Sequence, residues 1–203
     1  YGPPVYPYRV SYTAEDTLQL IKVKSYRKAR VDGVLTCKAW DGKTGGVLAL
    51  IISDTLWLNA DIDVSGKGFR GAAGQIYNYG CSNDDPSFQQ RNYSATSDSA
   101  GWKGEGIVHF MPSYAKGYGY LGSNSGGGNG QNSGGAGGSN GGQGGAGGKE
   151  WNDCSSGIQS ESGKNLASYY DVSSVTQKRI FFGGGGGGGT HTPGLSSSIG
   201  GNG

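Results

Sequence analysis

The chain has 203 residues, 17 of them basic and 15 acidic, for a formal net charge of +2. That balance gives no electrostatic case for nucleic acid or an anionic membrane as a partner. Glycine supplies 43 residues and proline only 6, which excludes a collagen-like chain and leaves the segment before Met111 to supply most of an apolar core.

Residues 1–16 read as an extended lead-in. Prolines and tyrosines stand where a signal peptide would carry its apolar run, and the chain stops in IGGNG. Both ends suggest a mature or excised piece of a longer protein. No run of 18 apolar residues exists, so no membrane-spanning helix is expected.

Residues 17–122 are predicted to form a β-rich scaffold. The first strands are expected at 17–25 and 29–38, the second with a turn at Asp32 and Gly33. The run KVKSYRKAR at 22–30 is basic. It reads as a solvated strand face or a lysine-guarded sheet edge rather than a ligand patch. DGKTGG at 41–46 and SGKG at 65–68 are turn signals. Residues 47–52 are continuously apolar and branched, as in a strand buried on both faces. TLWLNADIDVS then alternates. Leu56, Leu58, Ala60, Ile62 and Val64 fall on one side; Trp57, Asn59, Asp61, Asp63 and Ser65 fall on the other. Two strands joined tightly at Ser53 and Asp54 are expected. Residues 69–103 form an ordered excursion, since scattered aromatics usually bury something. Further strands are expected at 106–111 and 177–182, and one or two helical turns at 165–171.

Residues 123–203 form the glycine-rich region. From Gly135, glycine recurs at every third residue through Gly138, Gly141, Gly144 and Gly147. Three residues per turn is the period of the polyproline-II helix, which has no internal hydrogen bonds. Such helices hide their backbones only against one another, and side chains on the contact faces would block that approach. An ordered bundle is therefore preferred to a linker over 135–147, anchored by Trp151 on one side and by Ile180, Phe181 and Phe182 on the other. Residues 126–133 lack this register and are expected to be mobile. A second tract holds seven consecutive glycines, 183–189.

Little in the chain suggests catalysis. Asp61 and Asp63 lie i, i+2 on one strand face, with carboxylates about 7 Å apart. They could serve glycoside hydrolysis or calcium, but alternation alone also demands polar residues there. Asp84 and Asp85 form a second oxygen-rich turn. No cofactor is expected; calcium is the one metal these aspartates would suit. The glycine tracts are not phosphate loops, because no helix and no GK[ST] follows them. Cys81 and Cys154 lie in polar, turn-rich settings and are disulfide candidates in an oxidising compartment. Cys37 reads as a buried free thiol. No CxxC pair exists and His109 and His191 stand apart, so a zinc site is disfavoured. Asn92 opens an N-linked acceptor pattern. Ser99 is the most accessible of three short O-glycosylation-like tripeptides.

Four stretches carry a resemblance. They are VDGVLTCKAWDGKTGGVLALIISDTLWLNADIDVSGKGFRG, WKGEGIV, GGAGGKEW, and KRIFFGGGGGGG followed by GGNG. Together they resemble the glycine-rich region of very large Bacteroidetes surface proteins, including gliding-motility adhesins of the SprB type exported by the type 9 secretion system. The resemblance implies secretion, a cell-surface location, an adhesive or structural role and no catalytic residues. Partners would be other parts of the same long chain, extracellular surfaces or polysaccharides, and secretion or gliding machinery at the outer membrane.

The expected fold is all-β: a solenoid-like strand scaffold with glycine-rich excursions forming polyglycine-II-type helices. A jelly-roll sandwich carrying a glycine-helix bundle is the alternative. The expected function is a non-catalytic surface module for attachment or gliding. A polysaccharide-binding or polysaccharide-processing β-helix protein is the alternative, and an ice- or crystal-binding bundle is a third.

Overall fold

The computed structural model describes residues 19–81, 90–108, 110–151, 154, 158–166, 182–193 and 200. They hold two parallel two-stranded sheets, one 3-10 helix at Pro112–Tyr114 and no α-helix. The all-β expectation stands. The lead-in at 1–16, strand residues 177–181 and helical residues 167–171 lie outside the described residues.

Strand β1 (Lys24–Val31) pairs in parallel with β2 (Leu50–Leu58). The pairing continues beyond the strands. Leu35 bridges Ile62, and the Trp40 amide donates to the Lys67 carbonyl, each partner 27 residues further on. Residues 24–40 thus run alongside 50–67 as one extended rung on another.

The strand boundaries differ from expectation. The two segments predicted at 17–25 and 29–38 meet inside a single strand, β1. Likewise, Ser53 and Asp54 do not separate two strands; β2 runs straight through them. Tyr26 and Lys28 face Ile52 and Thr55, so β2 carries one extra residue there, a β-bulge. A bulge reverses which face each later side chain takes. That is why the apolar run gives way to alternation at this point and imitates a turn in the sequence. Residues 47–52 are not buried on both faces either: Ile51 is 55 % exposed, because two strands alone cannot cover it. No strand forms at 106–108 or 110–111.

The turn at 41–46 links the two rungs. The Asp41 carboxylate accepts the amides of Lys43 and Thr44 at 2.9 and 2.8 Å and the Lys38 ammonium at 2.6 Å. Hydrogen bonds from Lys38, Thr44 and Lys43 hold the Asp41 carboxyl far below its ordinary range. Gly45 has φ +105°, and a Cβ there would stand 2.3 Å from the Ala39 carbonyl oxygen.

The glycine-rich region is built on another rule. Hydrogen bonds to segment 183–190 recur every third residue. The amides of Phe69, Ala72 and Gln75 donate to the carbonyls of Gly183, Gly186 and Gly189. The amides of Gly184, Gly187 and Thr190 donate to the carbonyls of Ser139, Ala136 and Ser133. Those of Gly185 and Gly188 donate to Glu105 and Trp102, while Gly185 and Gly188 accept from Ser125 and Gly128. The strand pair β3 (Gln75–Ile76) and β4 (Thr190–His191) caps the first of these ladders. A β-strand has two hydrogen-bonded neighbours in one plane. This segment has four, disposed around it, with the three-residue period of a polyproline-II helix.

Steric exclusion explains the glycines. A Cβ would come 1.9 Å from the Ser123 carbonyl oxygen at Gly184 and 1.9 Å from Arg70 at Gly185. At Gly187 it would come 1.9 Å from Gly126, and at Gly188 1.8 Å from Ala73. The obstacles are main chain on two neighbouring segments, Ser123 and Gly126 on one and Arg70 and Ala73 on the other, so no single shift relieves them.

The other tract follows the same logic with two corrections. Gly135 and Gly138 lie against Gly187 and Gly184, and Gly144 and Gly147 against Gly137 and Gly134. Gly141 is exposed in a bend at 140–142. The unbroken triplet register therefore spans two antiparallel segments, not one helix. Residues 126–133 are not mobile. Gly126, Gly127 and Gly128 are buried and hydrogen-bonded to Glu161, Gly117 and Gly188. The Trp151 side chain is 51 % exposed, and its amide donates to the Gln131 carbonyl at 2.9 Å, so it ties in by main chain and not as an apolar anchor. Phe182 is the anchor, meeting Trp40 at 5.5 Å and Phe69 at 4.9 Å between ring centroids.

Replacing Gly187 by Ala should destabilise the protein by about 3 kcal/mol, the upper range for overpacking against a fixed neighbour. Replacing Gly145, which has nothing within 4 Å of a Cβ and no positive φ, should be neutral or stabilising by about 0.5 kcal/mol. Thermal melts of the two variants check this contrast.

Candidate functional site

The acidic candidates do not assemble. Asp61 and Asp63 are exposed. The Asp63 carboxylate accepts the Ser65 amide at 2.9 Å, and that bond holds its carboxyl below the ordinary value. Among the described residues no three His, Cys, Asp or Glu side chains converge as a metal site would require. Asp84 and Asp85 lie outside the described residues, as does His109. Among the described residues no helix is long and apolar enough to cross a membrane.

Cys81 and Cys154 form a disulfide with a Cα–Cα distance of 4.9 Å across 73 residues of sequence. Cys37 is a free thiol, half-buried rather than buried. Asn92 is half-buried and Ser94, two residues on, is exposed. Ser99 was expected to be accessible. It is only 7 % exposed, because the adjacent Ala100 bridges Asn129 inside the bundle.

Glu105 joins the scaffold to the bundle. Its carboxylate accepts the Trp40 indole at 3.0 Å and the Arg70 amide and Nε at 2.9 Å each. Burial alone would raise its carboxyl; the Arg70 guanidinium and amide and the Trp40 indole outweigh burial and hold it below the ordinary value. Both oxygens are occupied, so the group acts as a fixed bridge and not as a proton carrier.

Two lysines are buried in the bundle. The Lys103 ammonium donates to the carbonyls of Arg91, at 2.9 Å, and Gly119. The Lys116 ammonium donates to Gln75 Oε1 at 2.9 Å and to the Ser97 carbonyl, and lies 4.5 Å from the Trp102 ring centroid. Burial pushes Lys103 down to about 8 and lowers Lys116 as well. Both side chains serve main-chain carbonyls where the ladders leave gaps.

A groove of ≈ 580 Å³ lies on the β1–β2 sheet, lined by Lys28, Ala29, Arg30, Trp57 and Asn59. Arg30 and Trp57 are direct cross-strand partners. The Lys28 ammonium lies 5.8 Å from the Trp57 ring centroid. Asp32 orients the floor, accepting Arg30 Nε and Asn59 Nδ2 at 2.8 Å each. The sequence reading missed this constellation, treating the basic run and the alternating strand separately. The available signal was Trp57, an indole on the polar side of an alternating strand.

Compared with known proteins, the chain matches no family model, no curated protein and no solved structure.

Two measurements follow from these contacts. In the native, unreduced protein only Cys37 should react with a thiol reagent, one label per chain by intact mass, rising to three after reduction and unfolding. The second concerns pH. Folded Lys103 titrates near 8, below the 10.5 of a free lysine, so between those values the unfolded chain binds more protons. Its contribution to stability therefore rises with pH across that window and is lost as pH falls through 8. The melting temperature of the wild type should gain on that of Lys103→Met between pH 7 and pH 9.5.

Proposed function

We propose that this chain is a non-catalytic structural and adhesive module of a bacterial cell surface, part of a very large secreted adhesin serving attachment or gliding. The observation that carries this reading is the glycine segment 183–190, locked on four sides by main-chain hydrogen bonds. Such a bundle excludes side chains from its centre and leaves no room for a catalytic constellation there. What it supplies is a rigid body with polar surfaces, suited to work as a spacer and as a contact element. The Cys81–Cys154 bridge accords with an oxidising, extracellular location, and the resemblance in sequence points the same way.

The architecture we infer is a solenoid-like scaffold from which polyglycine-II-type helices project. The parallel run of 24–40 beside 50–67 supports it, since consecutive strands paired in parallel, here 26 and then 27 residues apart, are the step of a coil. A jelly-roll sandwich would pair such strands antiparallel. The same parallel step favours one second reading, a polysaccharide-binding β-helix protein.

The test is mechanical. Beads coated with the chain and held in shear flow should be retained on glass or polymer surfaces longer than beads carrying an unrelated protein of equal charge. Equal retention on every surface would remove the adhesive role. In parallel, amide exchange should be slow at Gly126–Gly128 and across 184–190; exchange at the rate of a free chain would remove the structural one.

A further inference from the structure

The β1–β2 sheet has two unlike faces. Alternation along β1 sets Lys24, Tyr26, Lys28 and Arg30 on one face. The register adds Leu50, Ile52, Thr55 and Trp57 from β2, with Asn59 following, so the basic and polar groups gather at the end that holds Lys28, Arg30, Trp57 and Asn59. The opposite face carries Ser25, Arg27, Ala29 and Val31 with Ile51, Leu56 and Leu58. Lys24, Lys28 and Arg30 stand against two acids, Asp32 at 2.8 Å from Arg30 Nε and Asp54 at 3.8 Å from the Lys28 ammonium, so the cations are in excess by one.

Three properties of this face point to one ligand chemistry. First, the Trp57 ring is 47 % exposed, although burying an indole is worth far more than leaving it in water. Arg30 is its cross-strand partner, and the Lys28 ammonium lies 5.8 Å from the ring centroid. An exposed indole offers a flat apolar plate to a ring with C–H bonds on its face. Second, Lys28 and Arg30 flank that plate, two residues apart along β1. That is about 6.6 Å, within reach of an acidic group on the stacked ring and one on its neighbour. Third, the groove runs across an open sheet, so a long polymer can enter from the side at any internal unit.

We propose that the face bearing Lys28, Arg30, Trp57 and Asn59 binds an acidic polysaccharide, with one sugar ring stacked on Trp57 and its carboxylates facing Lys28 and Arg30. Asn59 would donate or accept toward a ring hydroxyl, its Nδ2 already held by Asp32. This deepens the surface-module reading and rests on it. Single-stranded nucleic acid also combines stacking with charge. It is the lesser fit, because it calls for several stacked aromatics along a basic track, while this groove has one indole in a chain of net charge +2.

Native affinity electrophoresis of the whole chain tests the proposal, with polygalacturonate, neutral dextran or oligo(dT) in the gel. Polygalacturonate should retard the protein, less so as salt is raised, and dextran should not. Trp57→Ala should weaken the retardation roughly tenfold, and Lys28→Gln with Arg30→Gln by at least as much. Trp57→Phe, which keeps a smaller ring, should retain an intermediate effect; it serves as the reading if Trp57→Ala fails to fold. Absence of retardation, equal retardation of wild type and Trp57→Phe, or stronger retardation by oligo(dT) would overturn the proposal. Beads that hold in shear flow while the chain ignores polygalacturonate would overturn the groove and leave the adhesive reading standing. Retardation with no bead retention would support the groove and remove the adhesive reading.

Discussion

A polypeptide segment without side chains still carries an amide and a carbonyl at every residue, and burying them unpaired is costly. Segment 183–190 is buried along 184–190 and makes no internal ladder. Its polar groups must therefore be met by other segments on every side. That requirement fixes the surrounding architecture. It sets 69–77, 100–106, 123–129 and 133–139 around one axis, two running parallel to it and two antiparallel. It also explains a core made mostly of small polar residues. Ser123, Ser125, Ser133 and Ser160 are almost wholly buried. Ser125 Oγ donates to the Ala136 carbonyl and accepts the Gly187 amide, each at 2.6 Å. Ser160 Oγ donates to the Gly127 carbonyl at 2.7 Å. The Ser125 hydroxyl thus reinforces a direct backbone bond, that from the Gly187 amide to the Ala136 carbonyl at 2.9 Å.

A bundle of this kind gains little from apolar burial, so its attachment to the β-rungs matters. The ends of the glycine segment are held by different means. At its start, Phe182 closes a three-ring cluster with Trp40 and Phe69. At its end, Thr190 Oγ1 donates to the Gly130 carbonyl and accepts the Ser133 amide. Between them Glu105 ties Trp40 and Arg70 to the strand-like segment that flanks the glycines. The Cys81–Cys154 bridge adds a covalent tie. The rungs thus contribute aromatic contact at one corner, and the bundle contributes its own backbone pairing everywhere else.

The three-residue period was legible at Gly135, Gly138, Gly144 and Gly147 because steric exclusion leaves a mark that no other residue can fill. It was not legible at Gly126–Gly128, where consecutive glycines have no phase to read. Gly141 kept the phase while lying in a bend, since bends also favour glycine. The bulge at Ser53 and Asp54 imitated a turn, because both devices put polar residues between apolar ones. Trp57 was filed with the polar side of its strand, correctly by position. Its meaning depended on which cations the parallel register would set beside it, and a register formed between residues 26 or 27 apart leaves no local trace. Lys103 and Lys116 were unreadable as core residues, because lysine is usually exposed and their partners are carbonyls.

The outward face of the bundle bears on what it can contact. On the segment after the bend, Gln143, Ala146 and Lys149 are exposed at three-residue spacing. A surface matched to a crystal lattice needs the same small side chain at each repeat. Here the positions hold an amide, a methyl group and an ammonium, so the spacing is regular while the chemistry is not. Regularity is confined to the inward positions, where main chain meets main chain. The β1–β2 sheet differs in that one of its faces gathers Lys24, Lys28 and Arg30 from alternate positions of a single strand.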